Sequence, residues 1–221
     1  MKGDINMSVS IREPGSAITH AAGIIMALIA AIPLLTKAVG TSVTSVTAAV
    51  IFLLSLVALY SASTIYHSVV VPKRTLRYFQ KADHMMIFVL IAGTYTPVCM
   101  LTLHGSSGNL MLIVIWSLAA MGIFVKMCWI TCPKWFSSVI YIAMGWSCVI
   151  IMKPLIGAFE PTAMAWLAGG GIIYTIGGVI YALKLPLFNS RHKNFGSHEI
   201  FHLFVLAGSL CHIVFMYKYV L

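Results

Sequence analysis

Nine ionisable side chains lie in or beside apolar stretches of this 221-residue chain: Glu13, His20, His67, Asp83, His84, His198, Glu199, His202 and His212. Such groups are costly in hydrocarbon, so their presence points to sites. Ser63 and His67 are four positions apart, as are His198 and His202. On helices each pair shares a face, about 6 Å apart along the axis. Three neutral imidazoles, from His67, His198 and His202, can bind Zn²⁺ and leave a fourth tetrahedral position for water, as in catalytic rather than closed structural sites. Asp83 can accept a hydrogen bond from that water and take its proton, and Ser63 can orient the water or Asp83. Any one of these histidines alone would read as an ordinary interfacial residue; the set at this spacing carries the metal reading.

Two other chemistries fit parts of the pattern. The string HEIFH, His198 to His202, matches HExxH, in which the Glu is the general base of a zinc protease. The extended form with a Gly and a third His fails, because Val205 and Gly208 occupy those places. His212 lies ten residues past His202, about 15 Å deeper, facing another way. Glu199, beside Ser197 as an expected N-cap, can instead complement the helix dipole. A serine nucleophile built from Ser63, His67 and Asp83 lacks an oxyanion motif such as G-x-S-x-G. His20 and Glu13 fit a structural role or an outer shell.

The elements that hold these residues follow from composition. The chain is 60% apolar and 9% charged, against about 25% charged in soluble domains, which rules out a water-soluble globule. Apolar blocks run from Ala17 to Thr36, Val43 to Tyr66, Met85 to Leu103, Leu110 to Met127, Phe136 to Met152, Thr162 to Leu183 and Ile200 to Tyr217. Each is long enough to cross a bilayer. The expectation is an all-α integral membrane protein of seven transmembrane helices, with residues 1–16 a cytoplasmic segment and 17–221 the membrane domain. With the N-terminus inside, eleven Lys and Arg fall on inner segments and three, Lys37, Lys153 and Lys218, on outer ones. That bias puts the N-terminus in the cytoplasm and the C-terminus in the periplasm. On this count His67, Asp83, His84, His198 and His202 share the inner side, with His67 closing helix two, Asp83 and His84 opening helix three, and His198 and His202 opening helix seven. One span more or fewer between helices two and seven would part them by a bilayer.

The net charge of +9 is scattered between apolar blocks and reads as a topology signal, not a phosphate-binding patch; nucleic acid is excluded as a partner. Cys99, Cys128, Cys132, Cys148 and Cys211 form no CxxC pair and read as free thiols acting as small hydrophobes. Gly23, Ala27 and Ala31 on the first helix and Gly169, Gly170, Gly171, Gly177 and Gly178 on the sixth allow close helix packing. They permit self-association without requiring it, so no oligomeric state follows.

The motifs SASTIYHS (61–68), DHMMIFVLIAGTYTP (83–97) and HEIFHLFVLAGSLCH (198–212), with REPGSAITH near the start, resemble the hemolysin III family of bacterial inner-membrane proteins, relatives of the adiponectin and progestin receptors and, more widely, of alkaline ceramidases. The resemblance implies seven helices, a cytoplasmic N-terminus and a zinc ion near the inner face. Its ligands would be His67, His198 and His202, with Asp83 and Ser63 around the metal-bound water. Ser16 departs from the Asn of many members, which leaves the N-terminal motif without an assigned role. By analogy with the amide-lipid hydrolysis of relatives, the chain is expected to be a zinc-dependent hydrolase of a membrane amide or ester, with membrane lipids as its partners. The competing expectation is a non-enzymatic membrane protein, whether sensor, regulator of membrane composition or hemolysin-like cytolysin, in which zinc is structural.

Overall fold

The computed structural model describes residues 11–103, 105–183 and 195–221. Among these, seven helices are long and apolar enough to span a membrane: α1 (Pro14–Val39), α2 (Val43–Ser68), α3 (Lys73–Thr102), α4 (Ser106–Cys128), α5 (Lys134–Ala158), α6 (Pro161–Leu183) and α7 (Ser197–Val220). No strand occurs among the described residues. His104 and residues 184–194, which fall between the apolar blocks, lie outside them.

Local chemistry sets the helix ends. Pro14 sits at the start of α1, where its missing N–H costs nothing. Ser42 caps α2, its hydroxyl accepting from the Ser45 N–H at 3.0 Å. The largest departure from the apolar blocks is α3, which begins at Lys73 rather than Met85. Its first turns carry Lys73, Arg74, Arg77 and Lys81, long-stemmed residues compatible with a helix that runs into the interface, and Lys81 Nζ donates to the Met127 carbonyl of α4. Asp83 and His84 therefore do not open α3. They lie ten and eleven residues inside it, about 15 Å along the axis. Helix α1 likewise starts three residues before Ala17, within the segment expected to precede the membrane domain.

Helix α5 tightens to a 3₁₀ stretch at Trp146–Ile151. Tyr95 of α3 serves the loosened backbone there: its hydroxyl donates to the Gly145 carbonyl at 2.6 Å and accepts from the Cys148 N–H at 2.8 Å. An inserted partner of this kind is what lets a helix change pitch without leaving polar groups unpaired.

Helices pack in the order α1 on α2, α2 on α3, α3 on α5, α5 on α6, α6 on α7 and α7 back on α1. Six helices thus close a ring, and α4 leans on the outside of α3. Lys126 fastens α4 at its end. Its buried Nζ donates to Ser137 Oγ at 2.5 Å and to Cys132 Sγ at 3.1 Å, so Cys132 is more than the inert hydrophobe expected of it. The other described cysteines are also free thiols. Because α1, α3 and α7 start where α2 ends, the ring brings His67, Asp83, His198 and His202 to one end, as parity required.

Candidate metal centre

His67 is the penultimate residue of α2, and His198 and His202 occupy successive turns at the start of α7. His67 and His202 are 1% and 2% exposed. One ring nitrogen of each of the three histidines lies within 4.8 Å of the others. The Nε2 atoms of His67 and His198 face each other at 3.3 Å. Two nitrogens bound to one tetrahedral Zn²⁺ at about 2.0–2.1 Å would be about 3.3–3.4 Å apart. The residues therefore fit a three-histidine metal site on donor type and on this spacing.

The opposite ring nitrogens support the same fit. His67 Nδ1 donates to the Glu13 carboxylate. His202 Nδ1 lies 3.0 Å from Thr19 Oγ1 and 3.3 Å from the Ser16 carbonyl. Fixing Nδ1–H on an oxygen leaves Nε2 as the lone-pair nitrogen, which is how metal-binding imidazoles are normally oriented. Glu13 is itself held: its N–H donates to the His67 carbonyl at 2.9 Å, and Arg12 pairs with its carboxylate at 3.1 Å. The hydrogen bond from His67, foremost, holds the Glu13 carboxyl below the usual carboxylate range. His20 stacks on His202 with ring centroids 3.6 Å apart.

This geometry separates the competing chemistries. Glu199 is turned away from the imidazoles: one carboxylate oxygen accepts from the Gly196 N–H at 2.8 Å and the other from Ser16 Oγ. It closes the start of α7, whose cap is Gly196 rather than the expected Ser197, and is not placed as a base. The Ser63, His67, Asp83 triad also fails. His67 Nδ1 is held by Glu13 rather than by Asp83, and Ser63 Oγ has no hydrogen-bond partner among the described residues, His67 included. Ser63 is fully buried beside Asp83.

Asp83, His198 and His202 border a cavity of about 160 Å³ inside the ring. It runs down past Ile87, Ile91, Trp146 and Phe201 to His212, and α4 contributes nothing to its wall. His212 is spent on structure, its Nδ1 against the Gly208 carbonyl at 2.8 Å and its ring stacked on Tyr174.

The residues that sequence reasoning undervalued all belong to REPGSAITH. Glu13, Ser16, Thr19 and His20 recur at three- and four-residue steps, one helical face, and that face meets α2 and α7. Thr19 carried no expectation at all. Its spacing from Ser16 was the available signal.

The family model described as "Haemolysin-III related" matches residues 9–213. The chain belongs to this family. It is 37% identical over 199 residues to Hemolysin-3 of Bacillus cereus, covering 89% of this chain and 86% of the relative. It is 35% identical over 198 residues to the Hemolysin-3 homolog of Bacillus subtilis, covering 89% of each. A more distant likeness, 29% over 175 residues, is to the monocyte to macrophage differentiation factor of Homo sapiens, covering 76% of this chain and 68% of that one. No solved structure gives a significant match. Family and fold together make this a multi-pass bacterial membrane protein of the hemolysin III family, with a three-histidine group able to hold a metal ion.

Proposed function

We propose that the protein is a zinc-dependent membrane hydrolase acting on a lipid amide or ester. The observation that carries the reading is the 3.3 Å approach of His67 and His198 Nε2, with His198, His202 and Asp83 bordering a mostly apolar cavity. Zinc held by His67, His198 and His202 would supply Lewis acidity, drawing the pKa of a water in its open position towards about 7. The apolar wall, with Ile87, Ile91 and Phe201, accommodates an acyl chain entering sideways between helices and sets its polar linkage beside Asp83. Asp83 accepts a proton from the attacking water as the water oxygen bonds to the carbonyl carbon. It returns that proton to the departing nitrogen or oxygen as the C–N or C–O bond breaks, releasing a fatty acid and an amine or alcohol. Ser63 orients Asp83.

The proposal extends to topology. Residues 17–221 form the membrane domain in the inner membrane, with residues 1–16 and the metal end on the cytoplasmic side, supported by the Lys and Arg bias of the loops.

A second reading, a non-enzymatic membrane protein with a structural metal, is favoured by one observation. The hydrogen bonds around the imidazoles tie α1 to both α2 and α7, as a structural clamp would. The relatives' names, Hemolysin-3 and a differentiation factor, name no hydrolytic reaction.

Metal content and lipid-amide turnover of purified wild type, His67→Ala and Asp83→Ala separate the two. On the hydrolase reading His67→Ala loses zinc, while Asp83→Ala keeps zinc and loses turnover by about 100-fold or more. Unchanged turnover in Asp83→Ala, or none in wild type, favours the clamp. Wild type purified from zinc-replete cells without zinc ends both.

A further inference from the structure

Beyond the cavity that Asp83 borders lies a second, of about 80 Å³, between α3, α5 and α6. Its far wall is apolar, with Val98, Ile151, Leu155, Met164 and Leu167. It carries the line of the first cavity onward. Asp83 and Thr94, which both border the first, are eleven residues apart on α3, about 16 Å, and Val98, which borders only the second, adds about 6 Å. The two cavities meet at six residues that line both: Thr94, Tyr95, Gly145, Trp146, Gly171 and His212. Five of these offer no movable barrier. Gly145 and Gly171 have no side chain, and the Thr94 hydroxyl donates to the Leu90 carbonyl of its own helix at 2.8 Å. Tyr95 is bonded twice to α5, and His212 is held by the Gly208 carbonyl and by Tyr174. Trp146 is the largest of the six and has a single tether, its indole N–H donating to Thr175 Oγ1 of α6 at 2.9 Å. A Cβ on Gly171 would meet Trp146 Cζ2 at 3.8 Å and nothing else within 4 Å outside its own helical turn, so the indole edge faces Gly171 across the neck.

We propose that Trp146 sets the length of acyl chain the protein accepts: its indole ends the near cavity, so a chain of fitting length stops there, and a longer one enters only if the indole yields the far cavity. The assignment rests on the lipid-hydrolase reading above and adds a specificity-determining residue to it. A chain passing from bilayer to cavity exchanges one apolar surrounding for another, so added length brings no gain of its own. A methylene too many for the space costs about 10- to 200-fold. The limit on length is therefore a matter of shape, and a change of shape at the neck moves it.

The test uses the full chain in lipid nanodiscs with saturated fatty acids of graded length, from octanoate to stearate, which are products of the proposed reaction and are not turned over. Each is read by its displacement of a fluorescent fatty acid, with affinity expressed against its mole fraction in the bilayer. Turnover of the matching fatty amides and zinc content are measured in parallel. In wild type, affinity should stay level up to one length and fall about tenfold or more beyond it. Trp146→Ala should move that limit to longer chains with zinc unchanged, and adding Met164→Trp, which refills the far cavity, should move it back. Gly171→Leu, whose side chain grows into the neck, should move the limit to shorter chains, and it decides the matter if Trp146→Ala fails to fold. No limit in wild type, no binding of any fatty acid, or a limit that the neck variants leave in place would overturn the assignment. A limit that shifts as expected in a protein that hydrolyses no amide would leave Trp146 as the chain-measuring residue and sink the hydrolase reading alone.

Discussion

Two of the three imidazoles take their orientation from residues at the start of α1, Glu13 just before it and Thr19 within it. Glu13 accepts from His67 and Thr19 lies against His202, and such outer partners commonly govern metal affinity by about 10- to 100-fold. Glu13→Gln should therefore weaken metal binding by about that factor, read by competition with a chromogenic chelator, with little change in the fold. The carboxyl lies below its ordinary value of 4.5 because the bond to His67 favours the charged form. A lowered carboxyl stabilises the folded site above its unfolded value and loses that contribution as pH falls through the folded one. Both proteins lose affinity as their imidazoles protonate, but the gap between wild type and Glu13→Gln should hold constant through neutral pH and close only in acid, as Glu13 itself takes up a proton. That His67, His198, His202 and Asp83 gather at one end of the bundle was legible in the sequence, because four-residue spacing and span parity are properties of the chain itself. Ser16 and Thr19 were not, because their roles depend on α1 lying against α7, a contact that no local spacing specifies.

At the scale of elements, glycines that look alike in sequence separate by what surrounds them. A Cβ on Gly170 would run into the His212 ring, whereas one on Gly169 would meet nothing within 4 Å. Gly170→Ala should cost about 1–3 kcal/mol through overpacking. Gly169→Ala should be neutral or stabilising by up to about 1 kcal/mol, from helix propensity. Thermal unfolding of the two variants in detergent distinguishes them, and equal shifts would contradict the packing between α6 and α7. The glycine-rich face of α6 was thus readable as a packing surface, but which glycine bears the contact was not. The polar start of α3 was missed for a related reason. Four basic residues lower the hydropathy of its first turns below that of a membrane segment, although their stems are compatible with a helix that continues into the interface.

For the whole molecule, the seven-helix count was legible because each span is an uninterrupted apolar run, while the ring order and the outlying position of α4 were not. Hydropathy reports that a helix crosses, not what it touches. The proposed orientation has a direct measure: a reporter fused after Leu221 should read periplasmic, and cytoplasmic activity would reverse the assigned sides. The ring closes only when α7 reaches α1, and α7 carries two of the three imidazoles, the nearer of them 131 positions beyond the first. A ribosome making this chain releases the earlier helices into the bilayer well before His198 exists. The three-histidine group is thus the last thing to be assembled, and a nascent chain stalled at any earlier point leaves His67 without the two imidazoles it meets in the finished bundle.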